Sequence, residues 1–101
     1  MTLFSVLLAS QLLVTAADRV PTFDVGPGCR ASVGILGVSV DGCFDDEKVA
    51  REQLVKEWGQ FSGSAKTSCA DQTEHYHPSY VELLSCLEIF RDADEPYSPQ
   101  G

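Results

Sequence analysis

The chain has 101 residues, 44% hydrophobic and 22% charged, with seven basic residues against fifteen acidic ones and a formal net charge of −8. That length supports a single hydrophobic core, and the acidic balance argues against binding a phosphate backbone. The composition is not that of collagen, a coiled-coil array or low-complexity disorder.

Leu3 through Val14 is an apolar run of about a dozen residues, the length of a signal-peptide hydrophobic region and short of the roughly 20 that span a bilayer. Thr15-Ala16-Ala17 then offers the small side chains a signal peptidase admits, and Asp18-Arg19 opens a polar segment. Residues 1–17 therefore read as a signal peptide cut after Ala17, although Met1-Thr2 carries no Lys or Arg. A buried core helix is the other reading of such a run. No cysteine stands at the cut, so no lipid anchor is indicated. The expected location is periplasmic or extracellular, with no stable membrane insertion.

Asp18 to Gly28 contains Pro21, Gly26, Pro27 and Gly28 and is expected to form an irregular lead-in. Arg30 to Asp41 stays open between strand and helix. Its Val33, Ile35, Val38 and Val40 suit a strand, while Gly34 and Gly37 weaken either choice.

From Cys43 to Phe61 the pattern is helical. At about 100° per residue, Cys43, Ala50, Leu54, Trp58 and Phe61 share one stripe, flanked by Phe44 and Val55. Asp45, Asp46 and Glu47 lie near the positive end of that helix's dipole. Glu47 and Arg51 also fall inside the stripe, acid before base at i,i+4, which predicts a shielded ion pair. A Glu47 facing a ligand groove is the functional alternative.

Ser62-Gly63-Ser64 ends this helix, and Ser64 is placed to cap a short one over Ala65 to Asp71. Gln72 to His77 is polar and reads as a loop. Ser79-Tyr80-Val81-Glu82 matches the capping box directly after Pro78, so a helix is predicted from Tyr80 to about Ala93. Tyr80, Leu83, Leu84, Cys86, Leu87 and Phe90 share one broad face of it. Val81 and Ile89 point elsewhere, as ordinary exposed hydrophobes or as a partner surface. Residues 94–101 read as a disordered tail.

Cys29, Cys43, Cys69 and Cys86 all survive the predicted cleavage, and an even count in a short exported chain implies two disulfides. No C-x-x-C occurs, which argues against zinc knuckles and thioredoxin-type redox centres. Three pairings are open; bridging neighbouring segments favours Cys29 with Cys43 and Cys69 with Cys86. The expected fold is mainly α, a small disulfide-stapled domain of about three helices over residues 29–93.

The pattern Cys43-x3-Glu47-x2-Ala50-Arg51-x-Gln53-Leu54-x3-Trp58-x-Gln60-Phe61, then Cys69, then Pro78-Ser79-Tyr80-Val81-Glu82-Leu83-Leu84-x-Cys86-Leu87-Glu88, resembles an uncharacterised family of small exported four-cysteine bacterial proteins. The resemblance spans residues 29–93 and implies export, a helical fold and the four cysteines. It carries no substrate, cofactor or catalytic residue. The chain departs from it at Glu74-His75-Tyr76-His77, where the family usually has a small, glycine-containing turn.

Among candidate sites, His75 and His77 with neighbouring Glu74 are weak candidates for a zinc or copper ion. A cysteine held in a disulfide cannot join them, no third histidine exists, and exposed loop histidines are the simpler reading. No serine sits in a G-x-S-x-G elbow, and no glycine-rich loop has nucleotide-binding spacing. No enzymatic activity and no cofactor are therefore expected. The predicted role is a non-enzymatic exported module for a protein or envelope partner. Metal binding at His75 and His77, or an acid-responsive periplasmic holdase, are the alternatives.

Overall fold

A computed structural model describes residues 19–37 and 39–94. The predicted signal peptide and residues 95–101 of the predicted tail lie outside them. The described residues form four α-helices and no strand: α1 (Gly26–Leu36), α2 (Val40–Glu57), α3 (Gly63–Tyr76) and α4 (Tyr80–Asp94). A 3-10 turn at Trp58–Gln60 follows α2 directly. The fold is mainly α as expected, with four helices instead of about three.

The additional helix is α1, in the stretch left open between strand and helix. Pro27 sits in its first turn, where a missing N–H costs nothing. Gly37 ends it in the left-handed region at φ 68°, a conformation that penalises any side chain. The predicted lead-in thus shortens, because Gly26–Gly28 already belong to α1. The β-branched Val33 and Ile35 suggested a strand but lie exposed on this helix. Residues 19–25, just before α1, are irregular yet anchored. The Phe23 N–H donates to the Tyr80 hydroxyl at 2.8 Å, and the two rings lie 5.1 Å apart.

Helix α2 begins three residues before Cys43, because Ser39 is the better cap: its hydroxyl accepts the Gly42 N–H at 2.9 Å. Ala50, Leu54, Trp58 and Phe61 are buried as the stripe predicted, whereas Phe44 and Val55 are exposed. Helix α3 is capped by Ser62, which accepts the Ala65 N–H at 3.1 Å, and not by Ser64. It continues through the predicted loop to Tyr76. Nothing in Gln72–Tyr76 breaks a helix, and the polarity there belongs to its solvent face, with Thr73 alone turned inward. Pro78 sets the limit by holding His77 extended at φ −149°.

Helix α4 packs against both α2 and α3. Leu54, Leu83 and Leu87 are fully buried at this junction, and each contributes about 1.5–3 kcal/mol by leaving water. Phe90, expected on the core face, is 41% exposed instead, since the core ends one turn earlier at Leu87. The disulfides are Cys29–Cys43, joining α1 to α2, and Cys69–Cys86, joining α3 to α4. That is the pairing favoured by neighbouring segments. Among the described helices, α1 packs against α2 alone.

Candidate functional site

Because α2 is the one described helix that α1 packs along, a gap remains between α1 and the segment joining α3 to α4. This gap is a groove of about 550 Å³. Val25, Pro27, Ala31 and Ile35 contribute from the α1 side, and Tyr76, His77 and Pro78 from the other. Ile35 is 82% exposed and Tyr76 77% exposed, unusually wet positions for large apolar side chains. A smaller hollow of about 210 Å³ shares Tyr76, His77 and Glu82 with the groove and reaches Cys86.

The groove is also lined by Glu47 and Ser79. Glu47 is buried, and its carboxylate accepts the Ser79 hydroxyl hydrogen bond, at 2.6 Å to Oε2 and 3.0 Å to Oε1. Oε1 also accepts the Val81 N–H at 3.0 Å. The Ser79 hydroxyl in turn accepts the Glu82 N–H at 3.2 Å, the predicted cap of α4. A carboxylate from α2 therefore completes the N-terminus of α4, where free N–H groups and the helix dipole favour negative charge. Among the described residues no buried side-chain nitrogen or oxygen lacks a partner.

The predicted Glu47–Arg51 ion pair is not formed. Glu47 turns to the end of α4, while Arg51 is exposed with its guanidinium 5.9 Å from the centre of the Tyr80 ring. One turn separates them on α2, but the Ser79 hydroxyl and the Val81 N–H at the start of α4 offer the carboxylate a fixed pair of donors. The role expected of Glu47 at its own helix dipole also changes, since α2 starts earlier and Glu47 lies in its interior. The ion pairs among the described residues centre on Arg91, with Glu57 at 2.9 Å and Glu88 at 3.8 Å. The Arg91 hydrogen bond, helped by one from Gln53, holds the Glu57 carboxyl below the usual carboxylate range.

His75 lies in the last turn of α3 with its ring edge-on to Tyr76, 5.9 Å between centroids. His77 lies beyond the helix end and lines the groove, whereas His75 does not. Both are exposed. Among the described residues no group of three or more His, Cys, Asp or Glu side chains is placed to hold a metal ion. Cys69 is fully buried in its disulfide. Val81 and Ile89 are 39% and 69% exposed on α4 and lie outside the groove lining.

The sequence reading missed Ile35 and Tyr76 as site residues. The first lay in the stretch of undecided structure and the second in a supposed loop. The available signal was Glu47, a carboxylate on an apolar stripe, together with a serine cap elsewhere that needed a partner. Family models, curated proteins and solved structures alike offer no match to this chain, so the functional reading rests on this geometry.

Proposed function

We propose that this protein is an exported, non-enzymatic binding module whose partner seats in the groove beside α1. In this reading residues 1–17 direct it to the periplasm or the extracellular space, where the two disulfides close. Disulfides persist in oxidising compartments, which supports that location. Among the described residues no helix is long and apolar enough to cross a membrane.

The observation that carries the binding role is the groove itself, with Ile35 and Tyr76 largely exposed at its sides. A volume of that size lies within the range of about 300–1,000 Å³ usual for ligand sites. The one hydroxyl paired with a carboxylate there is committed to holding the fold: the Ser79 O–H donates to Glu47, and the same oxygen accepts the Glu82 N–H. That favours recognition over nucleophilic chemistry. Val81 and Ile89 lie outside the linings of the groove and the hollow, which leaves them less support as a partner site. Metal binding at His75 and His77 has less support, because only one of the two faces the groove.

A photo-crosslinking side chain placed at position 35, compared with one at position 89, tests the reading in envelope extracts. A discrete adduct from position 35 and none from position 89 is expected. No adduct at 35, or the same adducts from both positions, would discard the groove as the partner site.

A further inference from the structure

Resting on the groove as the binding site, we propose that its ligand is a cationic amphipathic peptide segment, with apolar side chains against α1 and Tyr76 and a Lys or Arg directed at Glu82 and Glu47. Among the described residues, the charged lining of the groove apart from His77 consists of these two glutamates, and no Lys or Arg lines the groove or the adjoining hollow. Glu82 borders both spaces and so stands in the middle of the combined surface. Neither glutamate is paired with a cation among the described residues: the ion pairs there are those of Arg91. Glu47 is buried and satisfied by uncharged donors alone, so its charge remains available to a cation in the groove.

The length of the α1 wall suits a helical segment. From Val25 to Ile35 the α1 wall runs ten positions, about 15 Å at the helical rise. That is room for about three turns of a second helix laid along it with its apolar face inward. The whole chain carries −8, which draws a basic ligand in and holds off anionic surfaces and second copies of the same chain.

The test uses the oxidised protein and synthetic peptides of about four helical turns, followed by fluorescence anisotropy. One peptide is built from Leu and Lys; in two others Glu or Ser replaces Lys on the same apolar pattern. The Leu/Lys peptide is expected to bind at least about tenfold more tightly than either other peptide. Glu82→Gln and Ile35→Ser should each weaken it several-fold, and Ile89→Ser should leave it unchanged. Position 35 is so exposed that its variant keeps the fold, which far-ultraviolet circular dichroism verifies for all three.

Equal binding of the Leu/Ser peptide, still lost in Ile35→Ser, would overturn the cationic ligand and leave the groove standing. Leu/Lys binding indifferent to both Ile35→Ser and Glu82→Gln would reveal attraction to the acidic surface at large and overturn the proposal. If no peptide binds, the cationic-peptide assignment fails, and crosslinking from position 35 then decides separately whether the groove reading fails with it.

Discussion

Glu47 gives up the partner one turn along its own helix and spends its carboxylate on Ser79 and Val81 at the start of another. Hydrogen bonds to a charged acceptor contribute about 1.5–3 kcal/mol net, and removing the acceptor leaves two donors without it. Glu47→Ala should therefore lower stability by about 2–3 kcal/mol, read as a shift in urea midpoint at constant slope with both disulfides intact. Glu47→Gln keeps one acceptor oxygen and should lose about 1 kcal/mol. Equal losses in the two variants would show that the site needs bulk and not an acceptor. Arg51→Ala should cost less than either, because its guanidinium is exposed beside a single ring.

At the scale of elements, α1 differs from the other three helices. The main buried cluster draws its members from α2, the turn after it, α3 and α4. Helix α1 joins this body through Cys29–Cys43 and through Val25 and Phe23 at its entry. The double variant Cys29→Ser/Cys43→Ser should consequently lose amide-exchange protection over residues 26–36 while residues 80–90 keep theirs. Cys29 and Cys69 are both fully buried, but only Cys69 belongs to the main cluster, so breaking Cys69–Cys86 should lower global stability by about 2–4 kcal/mol. Uniform loss of protection in the first variant would mean that α1 is part of one cooperative unit. Oxidation of Cys29 and Cys43 therefore bears directly on the groove, since this disulfide ties one of its walls to α2.

For the molecule as a whole, the pH dependence of stability has an identifiable contributor at the far ends of α2 and α4. Arg91 lowers the Glu57 carboxyl by hydrogen bonding first and charge attraction after, and is itself raised by Glu57. A carboxyl whose folded value lies below its unfolded one stabilises the fold above the ordinary carboxylate range. That contribution fades as pH falls through the folded value. The melting-temperature gap between the parent and Glu57→Gln should therefore narrow from about pH 6 to about pH 3. A gap that stays constant would remove this pair as a source of acid sensitivity. The Arg91 shift lies upward from an already very high value, so it adds no change in that window.

The sequence by itself determined the helical class, the inward stripe of α2, the capped start of α4 at Ser79 and the need for two disulfides. Each of these is local: periodicity, a capping hydroxyl before a free N–H, a proline that stops a helix, an even count of cysteines. The length of α3 was legible only through Pro78, because a polar run looks the same in a loop and on the wet face of a helix. Only tertiary structure decided that Glu47 serves α4 and that Ile35 and Tyr76 flank one groove. Those relations join residues far apart in the chain. They depend on α4 presenting its N-terminus to α2 and on α1 packing along α2, and no spacing within a single segment encodes either.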